Sequence, residues 1–232
     1  MTAVSTPTKI ARACWFCGAA TDSAHFCAAC GKIQALPHDT DYFVFFGLPR
    51  KLRIDSADLE KRFHQLSWKL HPDNFARASE QERKFSLQLS SVLNDAYRAL
   101  RETLSRVEYL LAQAGMRKEG QHKQQAPPEL LEEVFELNES LDELREARAA
   151  GGGAGETSGM RVKLEAAAKD FEAKLGDVDA ELDRISGEWD AAVDAGANEA
   201  IRKALMGKMN EVLNRRSYIR NLVNKVTEEL AA

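Results

Sequence analysis

Residues 56–75 read SADLEKRFHQLSWKLHPDNF, and this stretch decides the fold of the region around it. Asp55 or Ser56 is a suitable N-cap for a helix that begins here. Four apolar side chains then recur at helical spacing and predict one buried face: Leu59, Phe63, Leu66 and Leu70. Pro72 ends the helix, because the residue before a proline rarely keeps helical geometry. The sequence therefore predicts an amphipathic helix followed by a rigid turn, His71-Pro72-Asp73.

A second amphipathic helix follows this turn. Ser79 and Glu82 have the spacing of a capping box, which marks a helix start. The expected core stripe of this helix is Phe85, Leu89, Val92, Leu93, Ala96 and Leu100. Asp41–Phe46 is a short apolar run stopped by Gly47, and residues 107–111 indicate a further short helix. Residues 38–114 are therefore predicted to form a four-helix domain.

Two cysteine pairs precede this region. Cys14 and Cys17 form one Cys-x-x-Cys turn, and Cys27 and Cys30 form another. Two such turns supply four thiolates to one tetrahedral ion and leave no open position for water or substrate. Residues 1–37 are therefore predicted to be a small structural zinc module, which could include a β-hairpin. Rubredoxin-like iron, an iron–sulfur cluster and a redox dithiol pair remain alternatives.

The remainder of the chain is predicted to be a polar linker at 115–128 and a three-helix bundle at 129–232, which makes the fold class all-α. Leu130, Leu137 and Leu144 belong to the apolar stripe of an acidic first helix. Gly151–Gly159 is expected to be a flexible loop, and Trp189 is an expected core residue.

Composition narrows the function classes. The 232 residues carry a formal net charge of −4, which does not favour binding to nucleic acid or to an anionic membrane. No run is apolar enough to span a membrane, and the N-terminus lacks a secretory signal core. We find no nucleophile–base pair, phosphate loop or open metal site that would indicate an enzyme. A cytoplasmic location is expected, with the mitochondrial matrix as the alternative.

The two amphipathic helices around His71-Pro72-Asp73, with Asn94-Asp95-Ala96-Tyr97 near the end of the second, resemble the J-domain of the DnaJ co-chaperones. The resemblance implies that this site stimulates the ATPase of an HscA/DnaK-type chaperone. The implied contact residues are His71, Pro72 and Asp73 with the basic residues Lys61, Arg62 and Lys69. An ordinary turn and a solvated helix face are the plainer interpretations. Asn74 stands where that family often has lysine. Trp68 is expected to be half-buried in helix packing, with a contact role as the alternative.

Further residues resemble the HscB branch of these co-chaperones, which acts in iron–sulfur cluster assembly. They are Asp41-Tyr42-Phe43, Phe46-Gly47-Leu48-Pro49, His71-Pro72-Asp73-x-Phe75, the run 106–111 with Gly115, and the acidic run 135–143. Some members of that family carry a similar N-terminal four-cysteine module. The resemblance implies an IscU-type scaffold as the second partner. Its implied contacts are Leu131, Phe135, Glu136, Glu139 and Tyr218, although Leu131 and Phe135 would suit a bundle core equally.

Two other classes remain open at this stage. A J-domain co-chaperone could serve a client other than the iron–sulfur scaffold. Alternatively, the cysteine module could make this a zinc-ribbon or rubredoxin-like binding protein with a helical appendage. The few basic residues near the cysteines argue against nucleic-acid binding by such a ribbon.

Overall fold

The computed structural model describes residues 12–21, 25–37, 40–117, 127–151 and 154–231. These residues form two compact units. The first unit contains the described residues up to Gln113 together with Trp189–Asn198, and the second contains Ala114–Glu188 and the residues from Glu199 onward. Part of the predicted linker, residues 118–126, lies outside the described residues, as do residues 1–11 of the predicted cysteine module.

The first unit begins with the cysteine module. Strands β1 (Arg12–Ala13) and β2 (Ala20–Thr21) pair antiparallel, and a single bridge joins Phe26 to Ile33. The side chains of Ile33 and Leu36 are buried in the same hydrophobic cluster as the helices that follow. The module is therefore packed as part of the first unit and shares its core.

Four helices form the rest of this unit: α1 (Tyr42–Phe46), α2 (Ser56–Leu70), α3 (Glu80–Arg101) and α4 (Thr103–Gln113). Asp55 caps α2 by accepting from the backbone N–H groups of Ala57 and Asp58, and the Ser79–Glu82 capping box opens α3. A short 3-10 helix, Pro72–Phe75, joins α2 to α3. The buried stripe of α3 is the predicted one except that Val92 is only partly buried.

The segment Trp189–Asn198 completes the first unit. The indole Nε1 of Trp189 donates to the carbonyl of Arg50 at 2.8 Å. The carboxylate of Asp190 accepts from the backbone N–H groups of Leu52 and Arg53, at 2.6 and 2.9 Å. These bonds fix the loop that precedes α2. Trp189 is buried as predicted.

The second unit is built from α5 (Leu131–Ala149), α6 (Ala154–Asp194) and α7 (Glu199–Ala231), of which α6 and α7 each contribute their larger part. Contacts between α5 and α7 advance in the same direction along both helices, since Asn138 meets Lys225 and Arg145 meets Glu229. The two helices therefore run parallel. Leu137, Leu141 and Leu144 of α5 are buried.

The all-α class, with a four-helix region, a three-helix bundle and a preceding cysteine module, is confirmed. The prediction of a loop at Gly151–Gly159 is wrong for residues 154–159, because α6 already begins at Ala154. Glycine lowers helix propensity, but a long helix stabilised by packing tolerates it. Within the described residues, no helix has both the length and the apolar character that crossing a membrane requires.

Candidate functional site

The four cysteine sulfurs lie within 4.8 Å of one another. Sγ of Cys14 is 3.7 Å from Sγ of Cys30, and Sγ of Cys17 is 3.7 Å from Sγ of Cys27. A tetrahedral site with metal–sulfur bonds of about 2.3 Å has sulfur–sulfur edges of about 3.8 Å. The cluster therefore has the size and donor chemistry of a four-cysteine metal site.

Both cysteine turns are built in the same way. The N–H of Gly18 donates to the carbonyl of Cys14 at 2.9 Å, and the N–H of Gly31 donates to the carbonyl of Cys27 at 2.8 Å. The two glycines have φ values of 73° and 72°, a left-handed conformation that side chains with a Cβ rarely adopt. This conformation closes each turn and brings its two thiols to the same side.

Hydrogen-bond donors surround Cys14. Burial raises the pKa of this thiol, but backbone N–H groups of Cys17 and Phe16 point at the sulfur and lower its pKa to about 6. The buried amide of Gln34 also donates to Sγ of Cys14, at 3.3 Å. At Cys30 the N–H of Lys32 favours the thiolate, but burial and the neighbouring sulfurs outweigh it and raise the pKa to about 12. Four neighbouring thiolates would repel one another, and a bound cation would offset this repulsion.

The His71-Pro72-Asp73 turn is exposed and anchored at both ends. Leu70 is fully buried before it, and Phe75 packs against the hydrophobic cluster after it. The side chains of His71 and Asp73 are 56% and 89% exposed. The N–H of Asp73 donates to Nδ1 of His71 at 3.3 Å, which orients the imidazole. The Oδ2 of Asp73 also lies 3.5 Å from Nδ1 of His71, and the turn presents this exposed carboxylate in a defined place.

Three side chains hold the end of α2 that leads into this turn. The last carbonyls of a helix have no partner within the helix. Asn74 Nδ2 donates to the carbonyl of Trp68 at 2.6 Å. Ser86 Oγ and Ser90 Oγ of α3 both donate to the carbonyl of Leu70, at 2.6 and 3.1 Å. These roles are not predictable from the sequence, because nothing local in it indicates which carbonyl a serine will reach.

The predicted basic residues of α2 differ in their surroundings. Lys61 and Lys69 are exposed. Arg62 is engaged within the unit: its Nε donates to Asp58 at 2.8 Å and its Nη1 donates to the carbonyl of Phe46 at 3.0 Å. The guanidinium therefore ties α2 to the end of α1, and the two lysines are the cations that face solvent on this helix surface.

The expectation that Trp68 is half-buried is wrong, since 76% of the residue is exposed. At 100° per residue, Trp68 lies opposite the stripe of Leu59, Phe63, Leu66 and Leu70. The helical spacing therefore indicates an exposed position, whereas the size and apolar character of the side chain favour burial.

In the second unit, Leu131 and Phe135 of α5 are 55% and 71% exposed. They do not belong to the bundle core. Glu136 and Glu139 are exposed on the same helix. Tyr218 is partly buried on α7, between Arg215, which pairs with Glu129, and Lys225, which bonds Asn138. It therefore lies at the level of the first turns of α5.

No protein-family model matches the chain. A protein of Vibrio parahaemolyticus named co-chaperone protein HscB homolog is 40% identical over 104 residues, which are 45% of this chain and 61% of that protein. A protein of the same name from an Azoarcus species is 35% identical over 144 residues, which are 62% of this chain and 79% of that protein. The match thus spans about three fifths of the Vibrio relative and about four fifths of the Azoarcus one.

The crystal structure of human co-chaperone protein HscB superposes with a TM-score of 0.61 and 27% sequence identity, and the superposition covers 94% of this chain and 98% of the human one. The similarity therefore extends over the cysteine module, the four-helix region and the bundle.

Proposed function

Since the chain belongs to the HscB family of co-chaperones, we propose that it stimulates the ATPase of an HscA/DnaK-type chaperone and delivers an IscU-type scaffold to that chaperone during iron–sulfur cluster assembly. It acts by binding and catalyses no reaction of its own. The observation that carries the proposal is the exposed Asp73 carboxylate on a turn anchored at Leu70 and Phe75.

Asp73 and the exposed lysines of α2 supply the chemistry of this site. A free carboxylate pairs bidentately with an arginine, and the anchored turn lets it do so at little entropic cost. Lys61 and Lys69 attract an acidic surface and raise the association rate. Arg62 adds positive charge, but its bonds to Asp58 and Phe46 leave it a mainly structural role.

The direct test is the steady-state ATP turnover of a DnaK-type chaperone from the same organism. The wild-type chain should stimulate turnover, and adding the IscU-type scaffold should raise it further. Asp73→Asn and His71→Gln should return turnover to the basal rate. Glu102→Gln removes another exposed carboxylate from the same unit and should stimulate normally. Full stimulation by Asp73→Asn would refute the proposal.

We assign scaffold binding to Leu131, Phe135, Glu136 and Glu139, with Tyr218 at the same level of the bundle. Exposed apolar side chains rimmed by carboxylates suit a protein partner. Phe135→Ala should weaken scaffold binding, measured by calorimetry, by about tenfold or more. Val162→Ala is a matched control, because Val162 is 62% exposed on α6. If neither wild type nor variants bind the scaffold, the chain is a J-domain co-chaperone for another client.

The metal is proposed to be zinc, held by Cys14, Cys17, Cys27 and Cys30. Four thiolates suit zinc, and a bound ion would link the two cysteine turns and stabilise the module. Elemental analysis of the purified chain should find one zinc per chain, lost in Cys27→Ser. A red protein containing iron would indicate a rubredoxin-like site. We propose that the co-chaperone activity takes place in the cytoplasm, with the mitochondrial matrix as the alternative.

A further inference from the structure

Trp68 is a large apolar side chain on the solvent face of α2, and 76% of it is exposed. It lies three residues before His71, in the last turn of the helix. Lys61 is seven residues earlier and therefore lies on the same face two turns away. Among the described residues of the first unit, no packing contact requires tryptophan at this position, because the buried stripe of α2 is on the opposite side.

The position of Trp68 is fixed relative to Asp73. Asn74, the residue after Asp73, donates its side-chain amide to the Trp68 carbonyl at 2.6 Å. The N–H of Asn74 donates to the carbonyl of His71 at 3.0 Å. These bonds hold the backbone of Trp68 to the His71-Pro72-Asp73 turn, so the Cα that carries the indole keeps a fixed place relative to Asp73.

We propose that Trp68 is an apolar anchor of the chaperone interface and enters a recess of the ATPase chaperone that is bordered by carboxylates. This inference rests on the function proposed above. Tryptophan is among the residues that most often dominate binding energy, particularly at the centre of an interface. Trp68 lies between the exposed cation of Lys61 and the Asp73 carboxylate, so it lies inside the proposed contact surface.

The charges around Trp68 favour this partner over a second copy of the chain. With parallel α2 helices, a twofold contact through Trp68 would bring the Lys61 side chains of both copies together, which repel each other. With antiparallel helices it would set Lys61 of each copy against Asp73 of the other, the carboxylate assigned above to the chaperone. A carboxylate-lined recess pairs with those lysines while it buries the indole.

Stimulation of ATP turnover, measured against concentration of the chain, tests the inference. Trp68→Ala should raise the half-saturating concentration about tenfold or more and leave the maximal rate nearly unchanged. Trp68→Phe should recover part of this loss. Leu87→Ala should match wild type, because Leu87 is a similarly exposed apolar residue on α3. Circular dichroism checks that all variants keep their helices.

Ionic strength separates an apolar anchor from a charged contact. Raising the salt concentration should reduce the difference in half-saturating concentration between Lys61→Ala and wild type, because screening weakens the attraction between that lysine and the chaperone. The ratio of the half-saturating concentrations of Trp68→Ala and wild type should stay the same as the salt concentration rises. A ratio for Trp68→Ala that disappears with salt would contradict apolar anchoring.

The outcomes distinguish this inference from the function on which it rests. If Asp73→Asn abolishes stimulation and Trp68→Ala stays within about twofold of wild type, the anchor is refuted and the co-chaperone function stands. If Asp73→Asn stimulates fully, both fail. Self-association of wild type that Trp68→Ala removes, measured by light scattering, would assign the surface to a second copy and overturn the proposal.

Discussion

Ser86 and Ser90 of α3 share one acceptor, the carbonyl of Leu70 at the end of α2. Ser86 is fully buried and its bond is 2.6 Å, whereas the Ser90 bond is 3.1 Å. Because Leu70 is the last residue of α2, its carbonyl has no partner within the helix. Replacing the serines with alanine, singly and together, therefore tests how the chain is held immediately before His71.

The expected energies are not additive. A hydrogen bond contributes about 0.5–1.5 kcal/mol net, whereas a buried acceptor without a donor costs about 1–3 kcal/mol. Ser90→Ala leaves the shorter bond and should cost about 0.5 kcal/mol, and Ser86→Ala should cost about 1 kcal/mol. Only the double variant leaves the carbonyl without either serine. Its cost should therefore exceed the sum of the single costs by about 1 kcal/mol.

Urea unfolding of the four proteins measures this coupling, and amide exchange locates it at the end of α2. Ser91→Ala is the control, since Ser91 is an exposed serine on the same helix. Its stability should stay within about 0.5 kcal/mol of wild type. Additivity of the two single costs within about 0.3 kcal/mol would show that the serines do not share the carbonyl, and would refute the reasoning.

Two further predictions concern the first unit. The pKa of Glu82 is lowered, chiefly by the hydrogen bond from the Lys32 ammonium, below its ordinary value of 4.5. The Glu82 carboxyl therefore binds a proton more readily in the unfolded chain than in the folded one. Its contribution to the free energy of unfolding is complete above pH 4.5 and is lost as the pH falls below that value. Glu82→Gln should flatten this part of the stability–pH curve, and an unchanged slope in urea titrations would contradict the assignment. Asp190→Ala removes the acceptor of two backbone N–H groups before α2 and should cost about 1–3 kcal/mol in urea unfolding, whereas a cost below about 0.5 kcal/mol would show that water replaces it.

The parts of the fold that sequence could predict are those determined by local chemistry. The Asp55 cap, the Ser79–Glu82 capping box and the break at Pro72 each involve residues a few positions apart. The apolar stripe of α3 repeats over a long helix, so its period is distinct. The cysteine spacing determines which sulfurs can meet, and the structure brings them together.

The remaining features depend on contacts between residues distant in sequence. Trp189 was predicted to be buried, but its hydrogen bond to Arg50 joins residues far apart along the chain. Helix α6 begins at Ala154 despite the low helix propensity of Gly155 and Gly159, which favours a loop there. The exposure of Trp68 differs in kind, since helical geometry alone indicates it. The apolar character of tryptophan favours burial, whereas its position on the helix favours exposure. An exposed tryptophan is informative because it is uncommon.

Residues of the cysteine module enter the core of the four-helix region. Ile33 and Leu36 belong to the hydrophobic cluster, and the rings of Trp15 and Phe85 meet edge to face with centroids 6.0 Å apart. Lys32 pairs with Glu82 at 2.9 Å. The module therefore rests on the first turns of α3.

The same turns of α3 hold the His71-Pro72-Asp73 turn. Glu82 and Phe85 contact the module, and Ser86, the next residue, bonds the carbonyl of Leu70 before His71. If the four cysteines hold a metal, its removal would loosen the module, because the ion would link the two cysteine turns. Metal removal by a chelator should therefore increase amide exchange at residues 70–75 as well as at 25–37, while α5 stays protected. Increased exchange confined to 25–37 would show that α3 is held independently of the metal.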